Sequence, residues 1–366
     1  MSLVTTVPIT PAELDVVPLE RSETIPSAWY TDERVLAFER EAVFGRTWQY
    51  IGHESQLAEA GDYILGEVAG NPLIVLRNAE SELRCFYNVC RHRGGPLAME
   101  PCGHVTMLQC KYHGWTYRLD GSLRGVPRFD RSELFDKRDF GLVPVALQSW
   151  EGCLFVDLSG TAQPIDTLLA GILDRVAPLR PAVSRFHHRD VHDVACNWKA
   201  YVDNYLEGYH IPLVHPELTK VLDYRAYVTE TFGQYSLQHS PLRSDGGVYG
   251  DGDAFYYFVF PNTMLNIMPG RIQVNSVLPS GADACKVIFD YLYEDASSEE
   301  AGRRIAEDVA FSNMVQAEDA DICEHVQRGL ASRGYDRGRF SPECEEGVYH
   351  FQCLLKTAFG AAMDLG

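Results

Sequence analysis

Two short segments of this chain each carry one cysteine and one histidine, and nothing else in the sequence restricts the fold as much. The first is Cys90-Arg91-His92-Arg93-Gly94-Gly95-Pro96-Leu97 and the second Cys110-Lys111-Tyr112-His113-Gly114-Trp115. Together they read C-x-H, seventeen residues, C-x-x-H. One thiolate and one imidazole per arm is the donor set of a 2Fe–2S cluster whose two irons take two Cys and two His. Neutral imidazoles bring less negative charge than thiolates and raise the reduction potential. Glycines beside each arm let backbone N–H groups approach the bridging sulfides. The rival is a structural zinc site, but such sites commonly pair like ligands in C-x-x-C and H-x-x-x-H arms, whereas each arm here mixes them. Four unrelated core residues are a third reading, against which the two matched arms speak. Cys102-Gly103-His104 offers the same residue types but lies eight positions before Cys110, too near for a separate lobe, and reads as structural or surface.

Residues 197–217, NWKAYVDNYLEGYHIPLVHPE, hold a second donor set. Asp203, Glu207 and His210 stand at i, i+4 and i+7, so on one helix they share a face. Pro212 predicts a helix end near Ile211, and His215 follows in the next turn, able to swing back toward His210. Two histidines plus a carboxylate form the facial triad of oxygen-activating Fe(II) sites, which leaves coordination positions open. The carboxylate is sought on a long helix predicted over 298–333. There Val315, Ile322, Val326 and Leu330 make an apolar stripe that includes Asp319. Asp321 lies about 200° away and Glu318 about 100° away at 100° per residue. A carboxylate on an inward stripe needs a partner. A metal supplies one; an N–H-bound or Arg-bound core aspartate is the alternative.

The 366 residues suffice for one large domain or two moderate ones. A formal charge of −19 with no basic face excludes a nucleic acid as the main partner. The first seventeen residues lack a basic start and an apolar core of signal-peptide length. No apolar run reaches the roughly 18 residues of a spanning helix. A cytoplasmic location without a membrane partner is therefore expected, and there the ten cysteines imply buried thiols plus a metal site rather than disulfides. Residues 1–30 read as an extended arm, 31–48 as a helix, 50–160 as short strands, and 164–180 as helical. Residues 185–200 and 227–292 read mostly as strands with a helix between. The order predicts an α+β fold with a small all-β module inserted in it. Residues 1–47 form an arm and helix of the catalytic domain, 48–160 the cluster module, and 161–366 the mononuclear-iron domain. No G-x-G-x-x-G opens a βαβ unit and no plant-type C-x-x-x-x-C-x-x-C is present, so electrons must come from a separate chain.

Over about residues 30–360 the chain resembles the α subunits of Rieske-type ring-hydroxylating and demethylating oxygenases. CRHRGGPL and CKYHGWTY match the cluster motif, NWK and DNYLEGYHIPLVHP the iron-ligand motif, and EDADICEHVQRGL the third-ligand helix. It is most similar to the choline, glycine-betaine and carnitine monooxygenase branch: Glu at position 207, FPNTMLN at 260–266, VQRGL at 326–330 and GVYHFQ at 347–352. The resemblance implies a helix-grip, START-like catalytic domain built on an antiparallel sheet. It implies one 2Fe–2S cluster on Cys90, His92, Cys110 and His113, and one mononuclear Fe(II) on His210, His215 and Asp319. It also implies a head-to-tail homotrimer in which Glu207 bridges His113 of one subunit to His210 of the next, with Asn204 and Asp203 near the iron. A separate NAD(P)H-dependent reductase or ferredoxin would supply electrons, with O₂ and a small molecule as substrates. The implied reaction is hydroxylation or oxidative N-demethylation of a choline-, betaine- or carnitine-type compound. The alternative is an aromatic acid or amine. Outside this class stand a pure Rieske electron carrier, which would need no His210, His215 or Asp319, and a zinc-stapled binding module. Tyr201, Tyr205, Tyr209 and the run from Phe255 to Phe260 could offer aromatic faces to a quaternary ammonium, although alternating strand aromatics are usually core.

Overall fold

The structure, a computed structural model, describes residues 7–243 and 249–364. The first six residues of the expected arm lie outside that range. The chain divides into two compact units, Phe44–Thr167 and Met1–Val43 with Leu168–Gly366.

The unit Phe44–Thr167 is built from short antiparallel strands. One sheet runs Leu83–Tyr87, Asn71–Arg77, Asp62–Val68, Cys102–His104; a second runs Gln49–His53, Cys153–Asp157, Ala146–Trp150. A third joins Leu108–Gln109, Thr116–Tyr117 and Leu123–Gly125. The strand Asn71–Arg77 separates two apolar cores. Its side chains alternate between faces, so Leu73 and Val75 pack with Ile51 and Val156, while Ile74 and Leu76 pack with Cys90, Cys110, Trp115 and Tyr117. Both cysteine arms thus stand on one of these cores.

The larger unit carries a seven-stranded antiparallel sheet in the order Arg185–Val194, Ala284–Tyr293, Arg271–Gly281, Thr263–Met268, Asp253–Val259, Tyr235–Pro241, Val228–Thr231. The helix Glu299–Leu330 begins where Ser298 Oγ accepts the Ala301 N–H at 3.1 Å. Its buried residues are Ala301, Ile305, Asp308, Ser312, Gln316, Cys323 and Gln327, polar for the most part beyond Ile305. This corrects the apolar-stripe expectation, since Val326 is 46% exposed. Polar groups of the sheet explain the difference: Tyr293 donates to Asp308 Oδ2 at 2.7 Å, and the Tyr291 hydroxyl lies 3.0 Å from Ser312 Oγ. Buried polar side chains are tolerated when they are bonded.

The helix expected over 31–48 breaks into Ala28–Thr31 and Glu33–Glu39 followed by a wider turn to Phe44, with Asp32 accepting the Arg34 N–H. The 164–180 segment splits at Gly171, which holds φ +93°. The C-terminal helix Glu346–Asp364, not foreseen from the sequence, buries Phe351, Leu355 and Phe359 at i, i+4 and i+8. Inside this unit Lys199 Nζ lies 2.6 Å from Glu39 Oε1, and Trp198 Nε1 donates to Glu39 Oε2 at 2.7 Å, with Glu39, Lys199 and Trp198 all 0% exposed. Among the described residues no helix is long and apolar enough to cross a membrane.

Two candidate iron centres

The cysteine arms differ in spacing but fold as the same loop. The Cys90 carbonyl accepts the Gly94 N–H at 3.0 Å and the Cys110 carbonyl accepts the Gly114 N–H at 3.1 Å. The Cys90 N–H donates to the Gly95 carbonyl and the Cys110 N–H to the Trp115 carbonyl, each at 2.8 Å. Gly94 and Gly114 hold φ +73° and +75°, conformations that glycine adopts without cost. A Cβ on Gly95 would stand 2.9 Å from Cys110 Sγ, so the arms close too tightly for any side chain there.

Cys90 and Cys110 are 2% and 3% exposed. The Tyr117 hydroxyl lies 3.2 Å from Cys90 Sγ and accepts the Arg91 N–H at 3.0 Å. Burial pushes the Cys90 thiol up, so its thiolate needs a compensating cation. Burial, with His113 and Arg93 nearby, holds His92 below its usual range and keeps it a neutral ligand. Among the described residues His92 Nδ1, which is buried, has no hydrogen-bond partner. The His92 and His113 rings lie 4.8 Å apart, and Trp115 stacks on His92 at 4.9 Å. Two buried thiols, two adjacent imidazoles and an orphaned Nδ1 fit a cluster held by all four residues. Cys102 and His104 lie apart on an exposed strand, where His104 Nδ1 meets Asp62 Oδ1 at 2.9 Å.

In the second motif the helix is shorter than expected. It spans Trp198–Tyr205, capped by Asn197 Oδ1, and ends before Glu207. Glu207 Oε2 accepts the backbone N–H groups of Tyr209 and His210, which a continued helix would have bonded. Tyr227 packs onto Gly208, where a Cβ would meet its ring at 2.7 Å. Pro212 then sits in the first turn of a new short helix, Ile211–Val214, and His215 follows it. The shared helix face is therefore a correction: Asp203 stays on the first helix, whereas Glu207 and His210 come from the bend.

The ligand atoms nevertheless converge. His210 Nε2 lies 3.2 Å from His215 Nε2, and Asp319 Oδ1 lies 2.9 Å from His215 Nε2 and 3.7 Å from His210 Nε2. Ligands about 2.1 Å from one ion and at right angles stand about 3.0 Å apart. Two imidazole nitrogens and a carboxylate oxygen facing one point are the donor set of a metal cation, and the arrangement fits one. Each imidazole is held from behind. Glu207 Oε1 lies 2.7 Å from His210 Nδ1, and Glu318 Oε2 lies 2.7 Å from His215 Nδ1. Such carboxylates fix the tautomer that turns Nε2 to the metal. Burial opposes charge on His215, but Asp319 and then Glu318 outweigh it and raise its pKa.

Asn204 Nδ2 donates to Asp319 Oδ1 at 2.7 Å, which places Asn204 at the site. Asp203 points elsewhere: Tyr30 donates to its Oδ2 at 2.5 Å, Gln352 Nε2 lies 3.4 Å away, and it does not line the pocket beside the triad. The expectation that Asp203 acts near the iron is corrected accordingly. Asp321, by contrast with Asp319, has a side chain 79% exposed. The pocket holds about 110 Å³ and is walled by Tyr205, Tyr227, Tyr249, Tyr256, Phe289 and Met268 besides the triad. Of the aromatics singled out in the sequence, Tyr201, Tyr205 and Tyr256 line it, and Tyr209 is 57% exposed.

Residues 47–149 match the family model for the Rieske 2Fe–2S domain, and residues 183–360 match that for the ring hydroxylating alpha subunit catalytic domain. The chain is 35% identical over 355 residues to the chloroplastic choline monooxygenase of Arabidopsis thaliana, covering 93% of this chain and 83% of that protein. It is 31% identical over 356 residues to the carnitine monooxygenase oxygenase subunit of Escherichia coli, covering 92% of this chain and 94% of that protein. The crystal structure of the quaternary ammonium Rieske monooxygenase CntA in complex with L-carnitine matches with a TM-score of 0.83 at 29% identity, over 94% of this chain and 99% of that one.

Proposed function

We infer the function of this chain from its family: it belongs to the Rieske-type ring-hydroxylating oxygenase α subunits. It is an oxygenase that carries one 2Fe–2S cluster and one mononuclear iron. Its substrate is a small quaternary ammonium compound, hydroxylated or oxidatively N-demethylated. Support comes from the choline and carnitine monooxygenases among its relatives and from a small pocket whose wall includes the rings of Tyr205, Tyr227, Tyr249, Tyr256 and Phe289. A cation without N–H groups is held by aromatic faces rather than by hydrogen bonds.

Cys90, His92, Cys110 and His113 hold the cluster, and His210, His215 and Asp319 hold the mononuclear iron. The observation that carries this reading is the convergence of His210, His215 and Asp319 on one point at the pocket wall. When bound, the cluster supplies single electrons and the iron supplies oxygen activation. The protein keeps His210 and His215 in one tautomer through Glu207 and Glu318, orients Asp319 through Asn204, and keeps the reacting carbon in a largely apolar pocket.

Electrons come from a separate reductase and cross between subunits of a head-to-tail homotrimer. Surface features of each unit fit such contacts. His113 is exposed beside Tyr112, 59% exposed, and Met99, 70% exposed lies on the same unit. On the other unit Tyr209 and Leu213, 57% and 87% exposed, flank His210. Glu207, already on His210, would then reach the neighbour's cluster ligand.

Substrate-dependent O₂ uptake with a surrogate reductase tests the assignment, with choline, betaines and carnitine set against aromatic acids. Uptake with a trimethylammonium compound is the expected result. Uptake with aromatic acids alone would contradict it.

A further inference from the structure

The three residues that converge at the second centre come from two elements remote in sequence. His210 and His215 follow the helix Trp198–Tyr205, and Asp319 stands on the helix Glu299–Leu330. Where the Asp319 carboxylate falls relative to the two imidazoles therefore depends on how far one helix is slid along the other. Apolar contacts are non-directional and do not by themselves fix such a slide. Here hydrogen bonds cross between the two helices.

The Asn197 N–H donates to Gln327 Oε1 at 2.9 Å, and Cys323 Sγ reaches the Ala200 carbonyl at 3.9 Å. Asn204 Nδ2 donates to Asp319 Oδ1 at 2.7 Å, and the Tyr201 hydroxyl donates to Gln316 Oε1. On the long helix Gln316, Asp319, Cys323 and Gln327 follow one another at three, four and four residues, the spacing of one helix face. Asp319 is thus bracketed. Cys323 is tied about one turn after it and Gln316 about one turn before it. On the short helix Tyr201 and Asn204 are also three residues apart, so a pair of side chains at i and i+3 holds another pair at i and i+3. A slide of the long helix by one turn would break both bonds.

Stability alone does not account for the Tyr201–Gln316 bond. The two residues are 4% and 3% exposed, and among the described residues Gln316 Nε2 finds no acceptor. A buried amide bonded at one end only costs free energy that an apolar pair of the same shape avoids. Buried polar groups retained at such a cost can fix the register of packed helices. We propose that Tyr201 is a positioning residue: through Gln316 it locks the register of the long helix and so keeps Asp319 Oδ1 turned to His210 and His215. This rests on the mononuclear-iron reading of that site.

Fe(II) titration of protein that keeps its cluster but has been stripped of mononuclear iron tests the lock, with the melting temperature measured on the same samples. Tyr201→Phe keeps the ring and removes the hydroxyl. It should weaken Fe(II) binding on the order of tenfold and leave the visible absorption of the cluster unchanged. It also strands Gln316 Oε1, so it should melt below the wild type. The double variant Tyr201→Phe with Gln316→Leu buries no stranded amide. Its melting temperature should recover, while its Fe(II) affinity stays on the order of tenfold low. Recovery of stability without recovery of affinity is what a purely structural pair would not give. Wild-type affinity in Tyr201→Phe would overturn the lock. So would a double variant whose affinity recovers, or one whose melting temperature stays low together with its affinity. A wild type that takes up no Fe(II) would remove the mononuclear-iron reading itself, whereas a wild type and variants that bind Fe(II) alike would leave that reading and remove the lock.

Discussion

Glu318 Oε2 lies 2.7 Å from His215 Nδ1, on the edge of the ring opposite the nitrogen that faces Asp319. Two successive residues of one helix therefore meet the same histidine on different edges: Asp319 at the nitrogen turned to the proposed metal position, and Glu318 at the nitrogen whose bond sets the tautomer. Partners of this kind raise ligand basicity, and their loss costs about 10- to 100-fold in metal affinity. Glu318→Ala should lower Fe(II) affinity by that factor, measured by titration of the iron-free mononuclear site, while the visible absorption of the cluster is unchanged. Unaltered affinity would mean that the contact does not tune the site.

Glu207 plays the matching part for His210, with one oxygen on Nδ1 and the other on backbone N–H groups of the bend. Glu207→Gln keeps a hydrogen-bonding group there but loses the charge. Both metals should load, and reoxidation of the reduced cluster in a single turnover should slow at least about tenfold. A wild-type rate would remove Glu207 from the electron path.

Lys199 and Glu39 form an ion pair with no exposed surface, and burial pushes Glu39 up and Lys199 down. Removing one member of such a pair leaves a stranded charge and costs about 3–5 kcal/mol. Lys199→Met should lower the melting temperature by several degrees. Lys199→Met combined with Glu39→Met should recover most of that loss. A double variant no more stable than the single one would show that packing around Trp198, not charge, controls this region.

The first metal motif was legible because both arms are local. Four candidate ligands and their glycines fall within twenty-six residues, and each loop closes on its own backbone. His210 and His215 were legible for the same reason, even though the helix expected to carry them stops at Tyr205. Asp319 was chosen on an apolar stripe that is not the buried face. It sits at the edge of a polar face whose partners, Tyr201, Tyr291 and Tyr293, come from remote segments. The part Glu318 plays was missed because it depends on a long-range contact with His215. No local periodicity carries such information.

Asp203 gives a pH-dependent expectation. Burial raises its pKa to about 7, against hydrogen bonds from Tyr30 and Gln352 and the charge of Lys199, while Glu345 adds to the rise. In the unfolded chain it titrates near 4. The folded state thus holds this proton more tightly. The stability it contributes is fully present below about pH 4 and is lost as pH rises through about 7. Asp203→Asn cannot titrate, so its melting temperature should gain on that of the wild type between pH 5 and pH 8. Parallel curves would contradict the buried, proton-holding environment.

The account depends most on two separate iron centres in one chain, and iron and acid-labile sulfide analysis of Asp319→Ala beside the wild type tests it most directly. The wild type should carry about three irons and two sulfides per chain. Asp319→Ala should keep the two sulfides and the reduced-cluster EPR signal and lose one iron, while Asp321→Ala, whose side chain is 79% exposed, should match the wild type. Zinc in place of iron, or loss of the cluster together with the mononuclear iron in Asp319→Ala, would contradict it.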